Sequence, residues 1–123
     1  MRNTRQFSSG ANRDTNEDKF NYEGFISPIV LHSFAKYMHA NRFLKDGTIR
    51  DGDNWQKLFG ATIDEHLNVC IDSLLRHVMD LWLNHRGYHE TALETTENAL
   101  NGVLFNTMAY YHGLLMKEKR ESE

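Results

Sequence analysis

His77 and Asp80 stand three residues apart in the stretch TIDEHLNVCIDSLLRHVMDLWLNHRG, which runs from Thr62 to Gly87. On a helix that spacing points two side chains the same way. An imidazole and a carboxylate aimed together can hold a metal or meet a phosphate. A second group follows a short link later: Glu90, Glu94 and Glu97 fall at i, i+4 and i+7, and Asn101 comes four residues after Glu97. Hard divalent ions such as Mg²⁺ prefer carboxylate oxygens. The link from Arg86 to Glu90 is short enough to fold the two stretches into antiparallel helices, bringing Asp72, His77 and Asp80 toward the glutamates. A purely structural account stands beside this one. His77 would be a hydrogen-bonded packing residue, Asp80 would pair with a basic neighbour, and the glutamates would suit the positive end of a helix dipole.

The elements that must position these residues are legible as periodicities. Thr62 with Glu65 three residues on has the spacing of a capping box, and Gly87 is a stop. Between them Leu67, Ile71, Leu74, Leu75, Val78 and Trp82 share one helical face, beside a polar strip of His66, Ser73, His77, Asp80 and Asn84. Ser27-Pro28 opens an earlier helix to about Phe43, with serine as cap and proline in the first turn. Two Asp-Gly pairs in the segment 45–54 allow a small hairpin around Thr48 and Ile49 or an open loop. Asp53 or Asn54 caps a short helix that Gly60 ends. The last helix is expected from Thr91 to about Lys117, with Leu93, Leu100, Leu104, Met108, Tyr111 and Leu115 as its core stripe. Glu97 falls on that stripe and should be at least half buried, where a carboxylate requires a cation, a metal or a good donor.

These patterns predict an all-α protein: a small bundle of three to five helices with an extended N-terminal arm. Residues 1–24 form the polar arm, pinned by Phe20, Tyr22 and Phe25; 25–118 form a single helical domain; 119–123 are a charged tail. With 123 residues there is room for one core. The net charge of −3 argues against a nucleic-acid partner. No apolar run reaches membrane-spanning length, and the N-terminus lacks a signal-peptide core, so a cytoplasmic protein is expected. Cys70 is the single cysteine and reads as a buried, inert thiol. The three amphipathic stretches make a thin core, so a homo-oligomer is expected.

Several chemistries have no signature in the chain. There is no glycine-rich phosphate loop, no Cys-x-x-Cys, no His-Glu-x-x-His and no serine-nucleophile motif. The seven histidines lack compact zinc-ligand spacing. What does stand out is an ordered set of segments: Gly10-Ala11 with Arg13-Asp14-Thr15, Asn54-Trp55 with Lys57, Arg76-His77, and Glu97 through Phe105-Asn106. Over roughly residues 8–112 this set resembles the phage and bacterial dATP/dGTP diphosphohydrolase N-terminal domain family, grouped with the MazG-like all-α nucleotide pyrophosphohydrolases.

That resemblance implies a hydrolase that cuts a (deoxy)nucleoside triphosphate between the α and β phosphates, releasing monophosphate and pyrophosphate and adjusting nucleotide pools. It implies Mg²⁺, or Mn²⁺, held by acids on paired helices and activating water. In this chain the metal ligands would be Asp80, Glu94, Glu97 and His77, with His77, Asp80 and Glu97 catalytic. Lys57 and Arg76 would meet phosphate oxygens, Trp55 would stack on a base, and Asn101 would contact substrate. The chain departs from the family's E-x-x-E and E-x-x-D signature: His77-Val78-Met79-Asp80 begins with histidine. Either the metal site is built differently, or the chain is a non-catalytic helical module that binds a nucleotide or a protein.

Overall fold

A computed structural model describes residues 4–14, 19–60 and 62–122. It divides into two compact units, Met1–Leu31 and His32–Glu123. Parts of the expected arm and the last residue of the expected tail lie outside the described residues.

In the first unit, strands β1 (Thr4–Gln6) and β2 (Asn12–Asp14) pair antiparallel, with Arg5 opposite Arg13. Gly10 takes φ +89° in the turn, a conformation that favours glycine, and the Phe7 amide donates to the Ala11 carbonyl at 2.7 Å. The sequence gives no strand alternation here, so this hairpin was not expected. Phe20, Tyr22 and Phe25 bury little surface within this unit. Helix α1 (Pro28–Ala40), of which residues 32–40 belong to the second unit, begins as expected, with Ser27 Oγ accepting from the Val30 amide at 3.3 Å.

The second unit is built on a helical hairpin, α2 (Ile63–His85) and α3 (Thr96–Ser122). The α2 start has the expected capping box: Thr62 Oγ1 accepts from the Glu65 amide at 3.3 Å. Gly87, at φ +87°, ends the helix by donating its amide to the Asn84 carbonyl. The pairs down the hairpin show its antiparallel run, since Asp64 bonds Lys117 near one end and Asn84 bonds Glu94 near the other. Ahead of it the 3₁₀ segment Asn54–Gly60 packs on α2. Trp55 meets Phe105 and His112 edge-on, at 6.2 and 5.1 Å between ring centroids, and joins Tyr110 around the buried Ile63 and Leu67. The all-α expectation holds with three α-helices among the described residues.

Two expectations about the hairpin are corrected. The last helix starts at Thr96 rather than Thr91, because Thr95 caps it: its Oγ1 accepts from the Asn98 amide at 3.2 Å. The helix then runs on through Ser122. The second correction concerns which faces are buried. The α2–α3 seam is lined by His66, Cys70, Asp80 and Asn84 on one side and by Ala99, Gly102, Asn106, Ala109 and Gly113 on the other. The stripes expected to be core lie largely outside: Ile71, Leu75, Val78 and Trp82 on α2, and Leu100, Met108, Tyr111 and Leu115 on α3, are all exposed. Small residues let two helix backbones approach closely, and the polar strip of α2 fits that narrow seam because its hydrogen bonds are satisfied there.

Candidate functional site

Three polar side chains of α2 act together on the link between the helices. His77 Nδ1 donates to Glu94 Oε1 at 2.5 Å. Asp80 Oδ1 accepts from the Leu93 amide at 3.0 Å. Asn84 Nδ2 donates to the Glu94 carbonyl at 2.8 Å, and Asn84 Oδ1 accepts from His89 Nδ1 at 2.9 Å. One helical face therefore fastens residues 93 and 94 at successive turns. Leu93, expected on the core stripe, is 93% exposed because only its backbone is held. Burial pushes the Tyr37 phenol up, and the nearby Glu94 carboxylate adds to the shift.

Glu97 is exposed rather than half buried. With the helix starting at Thr96, it lies two residues before the buried Ala99, on the far side of the first turn. Among the described residues no three of the His, Cys, Asp and Glu side chains form a group that could hold a metal ion. Of the four expected ligands, His77, Glu94 and Asp80 are engaged with one another's segment and Glu97 points elsewhere. The four are therefore not gathered around one point.

A pocket of about 600 Å³ opens beside His77. Its walls are mixed: Phe34, Met38, Trp55, Phe105 and Met108 are apolar or aromatic, while Arg42, Arg50 and Asp51 bring charge. Of the residues expected at a substrate site, His77 and Trp55 line it; Lys57, Arg76 and Asn101 do not. Lys57 Nζ instead bonds Asp51 Oδ2 at 3.0 Å, which holds the Asp51 carboxyl below its ordinary range. Arg76 Nη2 donates to Ser73 Oγ at 3.0 Å, and Asn101 is buried on α3. Sequence reasoning missed Arg42 and Arg50. They lie at the foot of the hairpin that the Asp-Gly turn allowed, where Phe43 and Ile49 pair.

Away from the pocket, Cys70 Sγ lies 3.3 Å from His66 Nε2 in the seam. Burial raises the thiol and lowers the imidazole, so both favour their neutral forms. No helix among the described residues is long and apolar enough to cross a membrane.

Fold and site together define a small, mostly helical protein with a pocket of about 600 Å³ beside a helical hairpin. Compared with models of protein families, with curated proteins and with solved structures, the chain has no match in any of the three.

Proposed function

We propose that this chain takes a (deoxy)nucleoside triphosphate in the pocket beside Trp55 and His77 and works as a pyrophosphohydrolase, releasing monophosphate and pyrophosphate in the cytoplasm. The carrying observation is the composition of the pocket wall, which sets aromatic and apolar side chains against two guanidinium groups. A base and sugar suit the first half, and phosphates suit the second. The ordered resemblance to the dATP/dGTP diphosphohydrolase family, with its Mg²⁺ chemistry, supports the reaction.

One observation favours a second reading, a non-catalytic nucleotide-binding module. His77, Asp80 and Glu94 are occupied in fastening the interhelical link, so no hydrolytic step is assigned to a metal held by them. Incubating the chain with the four deoxynucleoside triphosphates and Mg²⁺ or Mn²⁺, and analysing for monophosphate and pyrophosphate, separates the readings. Tight binding without turnover selects the module; no binding rejects both.

The working form in this proposal is a homo-oligomer. Leu75 and Trp82 of α2 are 60% exposed and Tyr111 of α3 is 62% exposed. Among the described residues no large side chain is fully buried. Apolar stripes of this length on two adjacent helices suit a second hairpin, which would complete a four-helix bundle.

A further inference from the structure

We propose that Arg42 and Arg50 form a two-guanidinium clasp for the phosphates of the pocket's ligand, an inference that rests on the nucleotide reading above. The two are eight residues apart in sequence and are brought together by a hairpin. The Arg50 amide donates to the Arg42 carbonyl at 2.8 Å, and the Leu44 amide donates to the Thr48 carbonyl at 2.9 Å. At the tip, Gly47 takes φ +86°, and Asp46 Oδ1 accepts from the Thr48 amide at 3.0 Å and from its hydroxyl at 2.6 Å. The turn is thereby closed by its own residues. The open end carries the two arginines, and both line the pocket.

Arg42 is fixed further. Its Nε donates to the Arg50 carbonyl at 2.6 Å, which orients the planar guanidinium and leaves both Nη groups for other partners. The Arg50 guanidinium has no ion-pair or hydrogen-bond partner among the described residues. Among the described residues the one carboxylate on the pocket wall, Asp51, is bonded to Lys57, outside the wall. Lys57 thus shares the Asp51 carboxylate with Arg42, whose guanidinium also helps hold it ionised, rather than meeting the ligand itself. Two guanidinium groups with their one acidic neighbour paired to a lysine select a polyphosphate over an uncharged nucleoside, because each planar fork can take two phosphate oxygens.

The test is calorimetry on the full chain at low salt, with each of the four deoxynucleoside triphosphates, the matching nucleosides and inorganic tripolyphosphate as probes. The parent should bind at least one triphosphate more tightly than its nucleoside. Arg50→Gln should weaken triphosphate and tripolyphosphate binding about ten-fold or more while leaving the nucleoside unchanged. Its melting temperature should match the parent's, since the side chain holds nothing in the fold. Arg42→Gln should weaken phosphate binding similarly, with some loosening of the hairpin, so Arg50→Gln carries the decision. Lys57→Gln should leave Asp51 unopposed and weaken binding less than either arginine change. If Arg50→Gln binds triphosphate and tripolyphosphate as the parent does, or the parent binds neither, the clasp is overturned. If the parent binds tripolyphosphate but no nucleotide, and Arg50→Gln loses it, the clasp stands and the nucleotide reading falls.

Discussion

Gly102 of α3 sits against the ring of His77 on α2: a Cβ placed on Gly102 would stand 2.5 Å from Cγ and Cε1 of that imidazole. The same ring is tied through Nδ1 to Glu94. The seam therefore has a point where one helix has no side chain because the other fills the space, and the filling ring also holds the interhelical link. His77 can leave that place only by breaking the Glu94 bond or by parting the helices.

Gly102→Ala should consequently destabilise the protein, although alanine is the better helix former by about 1 kcal/mol. Overpacking a fixed ring costs about 1–3 kcal/mol, and a 2.5 Å approach to the ring falls in the upper part of that range, so the net loss should be about 1–2 kcal/mol in a urea titration. Gly52→Ala, where an added Cβ meets nothing within 4 Å, should stay within about 0.5 kcal/mol of the parent. Equal stability of the parent and Gly102→Ala would mean that the seam is looser than the contact implies.

The caps were legible because they are local chemistry: Ser27 with Pro28, Thr62 with Glu65, and Gly87 each act on backbone groups within a few residues. The buried faces were not legible. Periodicity finds an apolar stripe but does not say what it meets. It marked Leu75, Val78 and Trp82 as core, while the seam was selected by Ala99, Gly102, Ala109 and Gly113, whose small size carries little weight in a hydropathy pattern. With Asn106 between them the spacing alternates three and four, and that is the available signal. A start at Thr91 puts Glu94 on the last helix with Glu97, whereas the capping hydroxyl belongs to Thr95 and leaves Glu94 in the link. Arg42 and Arg50 share no helical face, so only the hairpin reveals them as neighbours.

Asp80 provides a separable test of the link. Asp80→Asn keeps an oxygen for the Leu93 amide, whereas Asp80→Ala leaves that donor without its acceptor, a loss of about 1–3 kcal/mol. Hydrogen exchange at the Leu93 amide should remain slow in the first variant and become fast in the second. Fast exchange in the parent would remove Asp80 from the structural role assigned to it.

The exposed stripes make assembly measurable. Light scattering at tens of micromolar, about the concentration that populates a micromolar complex, should show an oligomer. Trp82→Glu together with Leu75→Glu should convert it to a folded monomer with unchanged helical content. A monomeric parent in that range would overturn the proposed second copy.

His66 sets a pH dependence. Burial holds its imidazole below the ordinary 6.5, so the unfolded chain binds the proton more readily than the folded one. The contribution is fully present above about pH 6.5 and is lost progressively as pH falls through that value toward the folded one. The urea midpoint should drop between about pH 7.5 and pH 5.5, and His66→Gln, which does not titrate, should flatten that decline. A variant profile parallel to the parent's would assign the acid sensitivity to other groups.

The sharpest separation of catalysis from binding comes from Glu94 and Glu97 taken together. Glu97 is exposed in the first turn of α3, and Glu97→Gln should leave the melting temperature unchanged without metal. Glu94→Gln retains a carbonyl oxygen for His77, so the link should stay fastened with a loss of at most about 1 kcal/mol. If Mg²⁺ acts at this end of the hairpin, it should raise the parent's melting temperature in the presence of a triphosphate, by mass action on the folded state. Glu94→Gln should abolish that increment and the release of pyrophosphate, because an amide oxygen is a far poorer ligand for a hard dication than a carboxylate. Glu97→Gln should lose both as well if its carboxylate swings onto the metal when substrate binds, and neither if it remains on the far side of the turn. A parent that shows no Mg²⁺ increment and no pyrophosphate, while still binding triphosphate, would leave Glu94 as the anchor of His77 and the chain as a binding module.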